Sequence, residues 1–83
     1  MLIPQALLSY TGRRAEVEAS GDSVGALLAD LERQFPGIRF RVVDEQDGIR
    51  THLRVFVNGE AVGLSAAVGE GDEVAILMAL SGG

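Results

Sequence analysis

Val24, Leu27, Leu28, Leu31 and Phe35 recur at steps of three, one, three and four residues. That spacing puts all five on one face of an α-helix. Asp30, Glu32, Arg33 and Gln34 are left for the wet side. Ser20-Gly21-Asp22-Ser23 precedes the pattern, and an oxygen of Asp22 or Ser23 can accept the free backbone N–H groups of the first turn. Pro36-Gly37 stops it. The pattern predicts one amphipathic helix about 20 Å long.

Around this helix the period changes to two. Residues 1–9 are mostly apolar, with strand formers at Ile3, Leu7 and Leu8 and a tolerated early proline at Pro4. Thr11-Gly12-Arg13-Arg14 reads as a turn, and Ala15-Glu16-Val17-Glu18-Ala19 alternates as a half-buried strand does. The pair predicts an N-terminal hairpin. Residues 38–43 alternate Ile38, Phe40 and Val42 with Arg39 and Arg41, which fits a strand or a packed loop. Asp44-Glu45-Gln46-Asp47-Gly48 is a polar break. Residues 53–57 read as a strand, and Asn58-Gly59 after them is a strong hairpin signal, since both residue types accept positive φ. Residues 60–64 form the short return. Gly69-Glu70-Gly71-Asp72 is a further turn. The uninterrupted apolar run over residues 74–80 predicts a central strand buried on both faces.

One helix must then cover one mixed sheet. The apolar last strand belongs in the middle, parallel to the first after a long crossover that contains the helix. That arrangement is the β-grasp, or ubiquitin-like, fold of the α+β class. The expected division is a β-grasp domain over residues 1–80 and a flexible Ser-Gly-Gly tail over residues 81–83.

Composition narrows the function. With 83 residues there is room for one domain and little for a deep substrate pocket. At 47% hydrophobic and 23% charged residues, disorder is not expected. There is no cysteine and one histidine, so neither a disulfide framework, a thiolate metal site nor a cysteine nucleophile is available. No segment reads as a signal peptide or a membrane-spanning helix, and the expected location is cytoplasmic. A net charge of −5 argues against nucleic acid as a partner. The charge is uneven: five of the seven cations lie between Arg33 and Arg54, while from Val55 onward there are only acids. An acidic C-terminal half suits a basic partner surface. Every cation is an arginine, so no side-chain amine offers a nucleophile.

Candidate chemistry concentrates at Gly82-Gly83. Glycine lacks Cβ, so its backbone enters a narrow slot and takes any φ. A terminal carboxylate there is unshielded, and three residues beyond Leu80 reach at most about 10 Å. The other candidates are weaker. Gly69-Glu70-Gly71-Asp72-Glu73 lacks a third glycine and a following helix, so it is a turn and not a phosphate loop. Residues 44–48 depart from a calcium loop at Gln46, at the glycine position and at Val55. His52 is read as a strand-edge residue. Ser9, Ser20, Ser23, Ser65 and Ser81 share one histidine and mark no triad. Phe56 and Met78 are expected in the core.

Taken in order, Ser20-Gly21-Asp22-Ser23-Val24, Phe35-Pro36-Gly37, Val55-Phe56-Val57-Asn58-Gly59-Glu60, Gly71-Asp72-Glu73-Val74-Ala75-Ile76-Leu77 and the Ser81-Gly82-Gly83 end resemble the MoaD/ThiS family of ubiquitin-like sulfur carrier proteins. Met78 stands where many of that family have proline. The resemblance implies a carrier without catalysis or bound cofactor of its own. Its Gly83 carboxylate would be adenylated with ATP by a ubiquitin-activating-like adenylyltransferase and converted to a thiocarboxylate. A client enzyme, of the molybdopterin synthase large-subunit or cysteine synthase type, would take the sulfur. Ser81, Gly82 and Gly83 would thread into the partner's active site, and Phe56, Val57 and Leu80 would form a docking patch. The stretch from Ile38 to His52 is longer than in thiamine-type carriers, and Ile3-Pro4, Ser20-Gly21-Asp22 and His52 lean toward the cysteine type. Two other functions compete: a ubiquitin-like modifier joined through Gly83 to target lysines, and a non-covalent β-grasp interaction module.

Overall fold

A computed structural model describes residues 1–79 of the chain. The long amphipathic helix, α1, runs over Val24–Gln34 and buries Val24, Leu27, Leu28 and Leu31. Of the two cap candidates, Ser23 does the work: its hydroxyl oxygen accepts the Ala26 N–H at 3.1 Å. Phe35 closes the helix and is half-buried against the core. Leu28 and Leu31 are fully enclosed. Leu31→Ala should therefore cost about 3 kcal/mol through lost burial and a residual cavity. On a domain this small that lowers the thermal midpoint by roughly 15 °C, as differential scanning calorimetry would read it.

Residues 38–42 are neither strand nor loop. They form a short helix, α2, over Ile38–Val42. The apparent alternation misleads because Phe40 is not inward: it is 54% exposed, while Ile38 and Val42, four apart, are both buried. Spacing of four is helical. The helix starts on Gly37, whose φ of +97° is unfavourable for any side chain; a Cβ there would also lie 3.2 Å from the Tyr10 ring. The Glu32 carboxylate, projected from α1, accepts the N–H groups of Gly37 and Arg39. That cap comes from another element, so local pattern does not announce it.

The sheet has the order β2-β1-β3, with β1 over Leu53–Val57, β2 over Glu60–Val62 and β3 over Val74–Met78. Both pairings are antiparallel. The β1–β2 turn is the expected one: Asn58 and Gly59 have φ of +52° and +84°. Asn58 also joins this turn to the next. Its side chain donates to Asp72 and accepts from the Glu73 N–H, and Asp72 in turn accepts the Gly69 N–H.

The N-terminal hairpin is much reduced. Its ladder is short: Leu2 bridges to Glu16 on one side and, parallel, to Ala75 of β3 on the other. The Leu2 N–H donates to Val74, and Ile76 donates back to Leu2. The last strand thus lies beside the first segment and parallel to it, as the topology predicts. Pro4 has no N–H to continue the ladder, and the chain turns into a 3₁₀-helix over Gln5–Tyr10 that buries Leu7.

Four carboxylates hold turns by accepting backbone N–H groups, and each is thereby held below its ordinary pKa. The main causes are Ser20 and Arg33 for Asp30, Gly37 and Arg39 for Glu32, Gly48 and Gln46 for Asp44, and Gly69 and Asn58 for Asp72. A pKa lowered by folding contributes stability above the unfolded value, 3.8 for aspartate and 4.5 for glutamate. That contribution is lost as pH falls through the lower folded value. The thermal midpoint should therefore stay level above pH of about 5 and decline below about 4. Asp44→Asn should flatten part of that decline, and an unchanged acid limb would contradict it.

Candidate functional site

β3 is apolar along its whole length, yet the described residues cover only one of its faces. Val74 and Ile76 point into the core. Ala75 and Leu77 point the other way, and Leu77 is 43% exposed. The strand is central, between β1 and the N-terminal segment, but it is not buried on both faces.

Register extends the uncovered face across the sheet. Leu2 bridges Ala75, Ala75 pairs with Phe56, and Phe56 pairs with Ala61. Partners in a pair share a face, so Leu2, Ala75, Phe56 and Ala61 form one row, with Leu77 and Arg54 opposite each other in the next. Leu2 is 47% exposed, and Met78, paired with Leu53 on the other side of the sheet, is still 45% exposed at the end of β3. Met78 is therefore not a core residue, and Phe56 is only half-buried. A shallow groove on this face is lined by Leu2, Phe56, Ala75 and Leu77 with Glu16 and Glu73 among its polar residues. The result is an apolar surface edged by acids, of the kind that marks a site of protein contact.

The structure separates the residues expected to dock a partner. Phe56 is on the uncovered face. Val57 is on the opposite side of β1 and packs against the core. Leu80, and the Ser81, Gly82 and Gly83 expected to carry the chemistry, lie outside the described residues. Leu2 and Leu77 belong to the patch and the sequence reading passed them over. The available signal was the run over residues 74–80 itself, whose outward side has no cover among the described residues.

His52 is exposed, and its carbonyl accepts the Ala79 N–H at 2.8 Å. The turn over residues 69–72 uses its carboxylate on its own backbone, as does the loop at Asp44. Among the described residues, no group of three or more histidine or acidic side chains converges to hold a metal ion, and no helix is long and apolar enough to cross a membrane.

A single α+β domain with the β-grasp topology and an open apolar sheet face defines a class of small ubiquitin-like proteins. The model of the ThiS family matches residues 1–83, and the chain belongs to that family. It is 40% identical over 87 residues to the sulfur carrier protein CysO of Mycobacterium tuberculosis, covering 98% of this chain and 94% of the relative. A chain in the crystal structure of the Amycolatopsis orientalis BexX/CysO complex superposes with a TM-score of 0.90 at 38% identity, covering 99% of this chain and 96% of that one. Small archaeal modifier protein 1 of Haloferax volcanii is 36% identical over 72 residues, which is 86% of this chain and 83% of the relative.

Proposed function

We propose that this chain is a sulfur carrier of the CysO kind, binding no cofactor itself and presenting the Gly83 carboxylate to two enzymes in turn. The observation that carries the reading is the uncovered apolar face around Leu77, beside the strand that leads into Ser81-Gly82-Gly83. A partner seated on that face receives the tail without the globule having to enter its active site. The likeness to CysO over nearly the whole chain supports the same reading.

The chemistry proceeds in three steps on the partners. First, a carboxylate oxygen of Gly83 attacks the α-phosphorus of ATP on an adenylyltransferase. Pyrophosphate leaves, and an acyl-adenylate forms. A sulfide-equivalent donor then attacks the acyl carbon. A C–S bond forms, the C–O bond to AMP breaks, and the thiol proton goes to solvent, leaving a thiocarboxylate. On a client of the cysteine synthase type, the thiocarboxylate sulfur attacks an electrophilic carbon of the client's substrate and displaces its leaving group, and hydrolysis of the resulting thioester returns the Gly83 carboxylate. This carrier contributes no catalytic group; Gly82 and Gly83 contribute slenderness, and the sheet face contributes grip. With no cysteine in the chain, no internal thiol competes for the acyl group.

AMP release by the purified adenylyltransferase, with ATP and sulfide present, should depend on this chain. Release that is the same without the chain would refute the first step. The likeness to a small archaeal modifier favours a second fate for the acyl-adenylate, transfer to a target lysine. High-mass conjugates in lysate that vanish when Gly83 is deleted would select it over sulfur transfer.

A further inference from the structure

Two cations of this acidic chain line one cleft, each held at its inner nitrogen and against an aromatic ring; Arg14 is held in the same manner by Thr11 and Phe35, outside that cleft. Arg33 and Arg39 pair with carboxylates, Asp30 at 2.9 Å and Asp47 at 3.5 Å. Arg41 and Arg50 do not. Arg41 donates through Nε to the Tyr10 hydroxyl at 2.6 Å, and Arg50 donates through Nε to the Phe40 carbonyl at 2.8 Å. The Arg41 guanidinium lies 5.8 Å from the Tyr10 ring centroid and that of Arg50 4.7 Å from the Phe40 ring centroid. Both planes are therefore fixed at the inner nitrogen and by an aromatic ring. Their outer N–H groups find no acceptor among the described residues. The two arginines line one cleft with Tyr10, Phe40, Glu45 and His52. Glu45 makes no ion pair with either among the described residues.

A guanidinium held at Nε presents its outer N–H groups ready to engage a carboxylate, with part of the side-chain entropy already spent. Phe40, exposed in the same cleft and beneath the Arg50 guanidinium, adds an apolar contact. The cleft also adjoins Ala79, the last described residue, whose N–H is accepted by the His52 carbonyl. Four further residues span at most about 14 Å.

We propose that Arg41 and Arg50, arranged around Phe40 and beside His52, are a second docking patch that binds carboxylates on the adenylyltransferase beside the entrance for the tail. This rests on the carrier reading above. A tail in a slot leaves the globule free to rotate about it. The apolar, acid-edged sheet face and the basic cleft are two contacts of opposite character, and together they fix that rotation. Charge complementarity names the occupant: this pole of an otherwise acidic protein attracts an acidic surface and repels a basic one.

The test is calorimetric titration of the full chain into the adenylyltransferase, with AMP release measured separately. R41E/R50E should weaken binding by roughly tenfold, chiefly through slower association. It should also remove much of the salt dependence seen with the native chain, and R41Q/R50Q should fall between. The kcat for AMP release at saturating carrier should stay the same, because neither arginine reaches the reacting atoms. Native affinity and salt dependence in both variants would overturn the proposal. So would inorganic phosphate binding to the free chain, read from the His52 imidazole resonances, if affinity for the enzyme were unchanged; the cleft would then be a small-anion site. Native binding without AMP release would instead defeat the carrier reading and leave the patch standing. No binding by the native chain would defeat both.

Discussion

Removing Gly83 should leave a folded protein that cannot be activated. The deletion takes away the reacting carboxylate and puts that of Gly82 one residue, about 3.5 Å, short of its place. A displacement of even about 1 Å from the attacking geometry costs roughly 100-fold in rate, so AMP release should fall by at least that factor. Gly82→Val is the sharper variant, because it keeps the carboxylate and the tail length. A β-branched side chain restricts the backbone and widens the strand that must enter the slot. Thiocarboxylate formation should again drop by roughly 100-fold, while the thermal midpoint, set by a core whose described members lie no later than Ile76, stays at the native value. Near-native AMP release from Gly82→Val would mean that the partner does not enclose the tail.

The second large effect belongs to the sheet face. Leu77→Asp should be nearly silent for folding, since an exposed substitution usually changes stability by no more than about 0.5 kcal/mol. Leu77 also faces Arg54 across the β1–β3 pair, and the new carboxylate would sit opposite a cation. Binding should suffer far more. An apolar anchor at the centre of an interface is worth about 2 kcal/mol, or roughly 30-fold in Kd, and here a desolvated charge is added to its loss. Titration of the variant into the adenylyltransferase, paired with a melting curve, separates the two effects. A native Kd with a native midpoint would show that the face is not where the partner sits.

Much of this architecture was legible in the residues. The leucine spacing marks α1 and its buried face. Asn58-Gly59 marks the β1–β2 turn, and the crossover places β3 parallel to the first segment. What escaped was set by contacts from elsewhere. Ile38–Val42 alternates like a strand, but Glu32 and Gly37 start it as a helix, and Phe40 is turned outward. Residues 1–9 have the composition of a strand, but Pro4 ends the ladder after Ile3. The error of most consequence concerned β3. A fully apolar strand reads as buried on both faces, and a strand with one face kept for a partner has the same composition. Phe56 and Val57 illustrate the limit: adjacent and both apolar, they differ only in which side of β1 they occupy. Likewise, the crowding of arginines was visible in the sequence, but the anchoring of Arg41 and Arg50 through Nε needed Tyr10 and Phe40 to be in place.

Sulfur carried on Gly83 should be visible in the intact mass of the untagged protein recovered from its own host. A fraction should be heavier by the exchange of one oxygen for one sulfur, with fragmentation placing the change on the last residue and the Gly83 deletion abolishing it. Protein that remains unmodified in the host, and also after incubation with the adenylyltransferase, ATP and sulfide, would contradict the carrier role.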